Sequence, residues 1–233
     1  MTSTAAVLFS GGLDSSILVG HLLERGCNVQ PLYVDGQLAW QAVELQHSRQ
    51  FLAALQTTAL RPLVVLSMPL SDLYDGHWSI TGRDVPSSEA ADETVYLPGR
   101  NPLLLIKAQI WCQLHGVSSL ALGALASNPF ADATDEFFSE FESAIDRAIS
   151  GHVRLLRPLA HLDKRQAMEL GRNLPLDLTF SCLAPEGGLH CGRCNKCAER
   201  RKAFSSAGLA DATRYASPSD MPATTSAACN PGE

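Results

Sequence analysis

Long apolar runs are missing from this sequence. The runs present are short, such as Leu103–Ile106 and Leu120–Leu122, far below the ~20 residues that span a bilayer. The N-terminus carries no basic flank and no cleavage-like site, and Ala5–Phe9 reads as a strand rather than a signal core. No secretory signal is indicated, and a cytoplasmic protein is expected. A basic excess is also absent: 18 Lys+Arg stand against 24 Asp+Glu, for a net charge of −6. That balance disfavours a mainly electrostatic nucleic-acid binder. Charged residues make up only 18% of the chain, below the usual ~25%. Neither GxxxxGK[ST] nor GxGxxG occurs, and there is no internal repeat.

Apolar residues are not lacking. At 45% of 233 residues they suffice for a sizeable core and exclude disorder across the whole chain. The length exceeds the common domain size of about 100–150 residues, which one α/β domain with a small appendage accommodates.

Over the first 160 or so residues, short strand-like runs alternate with longer amphipathic stretches. Ala5–Phe9 precedes a helical pattern at Ser15–Arg25, and Val29–Val34 precedes Ala39–Leu55. Leu63–Leu66 and Leu120–Gly123 are further strands. Asn101 reads as an N-cap with Pro102 at the first helical position, opening a helix to about His115. A second helix, from about Thr134 to Ile149, places Phe137, Phe141, Ala144, Ile145 and Ala148 on one face. This alternation predicts an α/β fold, a doubly wound and mainly parallel sheet covered on both faces. Pro69–Pro98 shows turn signals and little periodicity, as in functional or mobile loops. Three regions are expected: an α/β body over 1–174, a cysteine-rich lobe and basic helix over 175–210, and a disordered tail over 211–233.

The first strand runs into Phe9-Ser10-Gly11-Gly12-Leu13-Asp14-Ser15-Ser16. Adjacent glycines let backbone N–H groups face an anion unobstructed. Ser10, Ser15 and Ser16 add hydroxyl donors, and the helix that follows turns its positive end toward phosphate. Asp14, a carboxylate beside an anion site, either caps the helix or holds Mg²⁺ bridging the phosphates. Val34-Asp35-Gly36 ends the second strand at the carboxyl edge, where doubly wound sheets bind ligands.

Four of the seven cysteines, Cys182, Cys191, Cys194 and Cys197, form C-x8-C-x2-C-x2-C. Such thiolate spacing suits a structural Zn²⁺ with no open coordination position. His190 is a competing ligand, and an iron–sulfur cluster is the chemical alternative. Cys27, Cys112 and Cys229 read as small buried hydrophobes or idle thiols. Arg200-Arg201-Lys202 reads as a solvated helix face, with phosphate or RNA contact as the other possibility.

The string Ser-Gly-Gly-x-Asp-Ser after an N-terminal strand resembles the pyrophosphate-binding loop of the PP-loop ATP pyrophosphatases. These enzymes cut ATP between the α and β phosphates. The resemblance implies an ATP site built on Phe9 to Ser16 and the helical residues Ile17, Leu18 and Val19. Leu162-Asp163-Lys164 resembles the stretch that points a lysine at the nucleotide phosphates.

Up to about Tyr215 the chain resembles the 7-cyano-7-deazaguanine synthase family (ExsB/QueC type). The resemblance is carried by the loop, by Pro98-Gly99-Arg100-Asn101, by Asp132–Phe137 and by the cysteine motif with Gly192-Arg193 and Asn195-Lys196. It implies an ATP-dependent C–N ligase that takes 7-carboxy-7-deazaguanine and ammonia to the nitrile through adenylated intermediates, in queuosine biosynthesis. Ser10, Asp14, Arg100 and Lys164 would be catalytic, and Asp132 and Glu136 would bind substrate. ATP, Mg²⁺ and one structural Zn²⁺ are implied, as is a homodimer, with no direct nucleic-acid or membrane partner. Two segments depart from the family pattern. Leu38-Ala39-Trp40 replaces Arg-His after Gly36-Gln37, and Ala133-Thr134 replaces a Cys-Arg pair. The rival expectation is a related enzyme that adenylates a different carboxylate.

Overall fold

The computed structural model describes residues 3–126 and 128–216. Cys229 and most of the expected tail lie outside the described residues.

Strand β1 (Thr4–Leu8) leads into helix α1 (Leu13–Glu24), then β2 (Asn28–Asp35), α2 (Gln41–Ala54) and β3 (Val64–Ser67). After a long segment containing the short helix α3 (Trp78–Thr81) come α4 (Arg100–Leu114), β4 (Ser119–Ala121), α5 (Asp135–Ile149) and β5 (Arg154–Leu156). Helices α6 (Lys164–Leu170) and α7 (Asn195–Ser206) follow. All strand pairs are parallel, in the order β3-β2-β1-β4-β5. The chain moves outward from β1 to β3 and then crosses to β4, so the order reverses between β1 and β4. That switch point is where a doubly wound sheet opens a crevice beyond its strand ends.

The sheet is covered on both faces because successive side chains on β1 point to opposite sides. Ala5 and Val7 pack with residues of α1, α2, α6 and α7, including Ile17, Phe51, Met168 and Phe204. Ala6 packs with α4 and α5 through Leu105, Ala108, Cys112 and Phe138. A third cluster joins the 69–98 segment to the cysteine-rich region: Leu70, Tyr74 and Leu97 pack with Trp40, Phe180, Leu183 and the four cysteines. Among the described residues, no helix is long and apolar enough to cross a membrane.

Several local expectations change. Helix α4 starts at Arg100, and Gly99 holds the N-cap position in the left-handed region (φ 75°). Asn101 is not the cap, because its side chain donates instead to Asp132. Pro102 is therefore the third helical residue, still within the first turn, where its missing N–H costs no intrahelical bond. The 69–98 segment has more built structure than its turn signals suggest. Trp78 stacks on Trp40 at 5.8 Å, Ser88 N–H donates to Arg193 O (2.9 Å) and Asn195 N–H donates to Pro86 O (2.9 Å). Residues 211–216 run along the cysteine-rich turn, with Ala216 N–H donating to His190 O (2.8 Å).

Candidate functional site

The turn from β1 to α1 is shaped by glycine. Gly11 has φ +70°, and a Cβ there would lie 2.2 Å from Ser48 Oγ. The loop is knit by Ser15 Oγ, which accepts from Ser10 N–H (3.3 Å), lies 3.3 Å from Ser10 Oγ and donates to Gly12 O (3.3 Å). Phe180 N–H donates to Gly11 O (2.8 Å), tying the cysteine-rich region to the loop from above. Gly12 is the N-cap of α1 and no side chain caps it. The capping alternative for Asp14 therefore does not hold. On the other side, a Cβ on Gly123, just past β4, would sit 2.9 Å from Asp14 C and 3.0 Å from Ser15 N. Only glycine lets the end of β4 come this close to the loop.

Asp14 and Lys164, 150 positions apart, meet over this loop. Lys164 Nζ lies 2.9 Å from both carboxylate oxygens of Asp14 and 3.4 Å from Glu199. A capping box places the lysine: Gln166 N–H donates to Asp163 Oδ1 (2.7 Å) and Asp163 N–H donates to Gln166 Oε1 (2.9 Å). The first turn of α6 is thereby fixed. Burial works to lower the Lys164 pKa, but Asp14 and Glu199 outweigh it and raise the value above the ordinary one. Glu199 also pairs with Lys196. For Glu199, burial raises the carboxyl and the two lysines pull it below its ordinary value.

This charged cluster sits between two lobes of one cleft. The inner lobe, about 330 Å³, is lined by Ser10, Ser15, Trp40, Glu44, Arg100 and Phe180 among others. The outer lobe, about 560 Å³, is lined by Ser88, Asp92, Phe130, Asn195 and Lys202 among others. Asp14, Gly123, Asn128, Lys164, Lys196 and Glu199 border both. Arg100 faces the inner lobe with its buried Nε without a hydrogen-bond partner. Beside it, the buried carboxylate of Glu44 accepts from Tyr33 Oη–H (2.8 Å). Burial raises Glu44 to about 7, against the opposing pull of Arg100 and hydrogen bonds from Tyr33 and Trp40.

The cleft thus collects Ser10, Asp14, Arg100 and Lys164, but not Asp132 or Glu136. Asp132 is buried behind the start of α4, where Asn101 Nδ2 donates to its Oδ1 and backbone O, both at 3.1 Å. Glu136 is exposed on the first turn of α5. Reading the sequence missed Glu44, Asn128, Lys196 and Glu199. A usable signal existed for Glu199, three residues after Lys196 on one helix face.

The four cysteines come together as their spacing suggests, buried, with all four Sγ atoms within 4.8 Å of one another. Cys182 Sγ accepts from the N–H groups of Cys191 (3.2 Å) and Ala184 (3.3 Å), and Cys191 Sγ from that of Arg193 (3.4 Å). Such N–H donors favour thiolates, and the group could hold a metal ion. His190 lies outside it: its Nε2 accepts from Ser181 N–H (3.1 Å), and burial pushes its pKa down to about 3. The basic run on α7 is only partly a solvated face: Lys202 is exposed, but the two arginines are held by the protein. Arg200 is buried and donates to Thr213 Oγ1, Thr179 Oγ1 and Leu176 O at 2.7–2.8 Å. Arg201 stacks over Tyr215 at 4.2 Å.

A parallel doubly wound sheet that carries a Ser-Gly-Gly-x-Asp-Ser loop and a facing lysine at its switch point resembles a PP-loop fold. The family model described as queuosine biosynthesis protein QueC matches residues 4–208, and the chain belongs to that family. It is 36% identical over 230 residues to the 7-cyano-7-deazaguanine synthase of Solidesulfovibrio magneticus, covering 91% of this chain and 95% of that protein. To the enzyme of that name from Syntrophobacter fumaroxidans it is 33% identical over 229 residues, with the same coverage. Among solved structures, a 4-thiouridine synthetase–RNA complex with bound ATP superposes with a TM-score of 0.48 at 18% identity, over 88% of this chain and 50% of that one.

Proposed function

We propose that this protein is a 7-cyano-7-deazaguanine synthase. It would adenylate the carboxylate of 7-carboxy-7-deazaguanine with ATP, exchange AMP for ammonia to give the amide, and use a second ATP to dehydrate the amide to the nitrile. One observation carries the reading: in a chain of the QueC family, the anion-binding loop, Lys164 and Arg100 line a single cleft. The chemistry brings two anions together and stabilises the charge leaving on pyrophosphate. Fixed donors and cations in a water-poor site are suited to that task.

In this reading the loop from Phe9 to Ser16 and the first turns of α1 hold the phosphates, with Ser10 donating to a phosphate oxygen. Lys164 would face the bond that breaks, Arg100 would orient an anionic group of the substrate, and Asp14 would hold Mg²⁺, which supplies charge neutralisation for the phosphates. Asp132 acts indirectly, by fixing Asn101 and so the turn that presents Arg100. The cysteine cluster is assigned to zinc. Four bonds of about 2.3 Å in a tetrahedron separate the sulfurs by about 3.8 Å, and the Cys191–Cys197 and Cys182–Cys194 pairs lie 3.9 Å apart. A zinc held this way is structural. A cytoplasmic location and a homodimer complete the proposal; sedimentation tests the latter.

The deciding assay combines purified protein, MgATP, 7-carboxy-7-deazaguanine and ammonium, with AMP, pyrophosphate and nitrile followed by mass spectrometry. Nitrile formation is expected. ATP turnover only with some other carboxylic acid would overturn the assigned acceptor.

A further inference from the structure

The buried carboxylates among the described residues are Glu44 and Asp132, and they differ in what surrounds them. Asp132 is engaged by Asn101. Glu44 lies on the first turn of α2 and lines the inner lobe together with Ser10, Asp14, Arg100 and Lys164. Tyr33 of β2 donates to its Oε1 at 2.8 Å. A carboxylate at this position repels the phosphates and the carboxylate that share the cleft, so its complement is a cationic or N–H-bearing reactant.

The amide-forming step brings in one such reactant. When ammonia attacks an acyl adenylate, its lone pair forms the C–N bond, and the C–O bond to AMP breaks with its electron pair on the AMP phosphate. One proton must then leave the nitrogen. The other titratable groups on the inner lobe are poorly placed to take it. Asp14 and Glu199 are engaged by Lys164, and Glu199 also by Lys196. Lys164, Lys196, Arg100 and Arg200 are cations with no free lone pair, and Cys182 belongs to the cysteine cluster.

We propose that Glu44 is the general base of the ammonia step, receiving that proton on its carboxylate while Tyr33 holds the group in orientation. The proposal rests on the function assigned above. The groups that tune Glu44 are Tyr33 and Asp35 from β2, Trp40 before α2, and Arg100 from α4. Their combined effect leaves it able to exchange a proton near neutral pH, the range in which a general base works best.

The test separates two half-reactions of the full-length protein: pyrophosphate exchange into ATP with 7-carboxy-7-deazaguanine but no ammonia, and amide formation at varied ammonia and pH. Glu44→Gln keeps an acceptor for Tyr33. It is expected to lower amide formation roughly 100-fold, to change exchange by about threefold or less, and to remove the limb near pH 7 from the amide-forming rate. Tyr33→Phe removes a hydrogen bond that lowers the Glu44 pKa and should move that limb to higher pH. Equal losses in both half-reactions, or an ammonia step insensitive to Glu44→Gln, would overturn the role of Glu44. Absence of exchange in the wild type would overturn the assigned function, and this role with it.

Discussion

Lys164 Nζ sits equidistant, at 2.9 Å, from the two oxygens of Asp14. This pairing joins the glycine-shaped loop at the start of the chain to the first turn of α6, 150 positions further on and on the same face of the sheet as α1. It also neutralises Asp14, whose charge alone would repel an anion held by the loop.

Replacing Lys164 by Met should therefore affect chemistry more than folding. The cluster keeps Lys196 on Glu199, but the loop loses its facing cation and Asp14 its partner. A loss of roughly 100- to 1,000-fold is expected in substrate-dependent pyrophosphate exchange, the scale seen when one group that stabilises developing charge is removed. Circular dichroism should show native helix content.

Gly123→Ala tests the close approach of β4 to the loop. The new methyl would press on backbone at Asp14 and Ser15, which cannot rotate away as a side chain can. About 1–3 kcal/mol of destabilisation is expected from overpacking. KM for ATP should rise as the loop is displaced, with urea unfolding and ATP titration as the two readouts.

Cys194→Ser should lower metal content below one ion per chain, read by elemental analysis, and lower the thermal midpoint, because folding and metal binding are coupled at such sites. The 69–98 segment is bridged to this region through Ser87 opposite Cys194 and through Asn195, whose Nδ2 donates to Ala90 O (2.9 Å). Limited proteolysis should consequently find new cleavage sites between residues 86 and 92. Full thermal stability of the wild type under a strong chelator would contradict a structural metal.

The pH dependence of stability carries the signature of Glu44. Its folded pKa, about 7, is raised from 4.5, so the fold prefers the protonated form. The contribution is fully present below pH 4.5 and is lost as pH rises through 7, at up to about 1.4 kcal/mol per pH unit. Glu44→Gln should flatten this slope in urea titrations between pH 5 and 8 and be the more stable protein at pH 8. Parallel curves for the two proteins would contradict the environment described for Glu44.

What could be read in the amino-acid order is what contiguous residues impose on one another. The Gly11-Gly12 turn between a strand and a helix and the C-x2-C-x2-C run are short-range devices, with backbone conformation and ligand spacing written within a few positions. The strand–helix alternation was similarly legible, because α1, α2, α4 and α5 each run to at least 12 residues. By contrast, β5 is a three-residue strand that starts on an exposed arginine and buries none of its residues fully, whereas β4, equally short, is marked by buried Leu120 and Ala121. The 69–98 segment escaped because its apolar residues pack irregularly against the cysteine cluster instead of on one face of an element.

Tertiary structure alone decided which charges face the cleft and which serve the frame. Asn101 carries the residue type of an N-cap, yet a carboxylate 31 positions away claims its amide. Arg200 belongs to a basic run, yet its guanidinium is buried by hydrogen bonds to Thr179 and Thr213, 21 and 13 positions distant. Glu44 looks like any helix-start glutamate until β2 and α4 enclose it. Local order is set by sterics between neighbouring residues. The partners of a long polar side chain are set by the packing of elements far apart in the chain, and in this protein that packing also made the cleft.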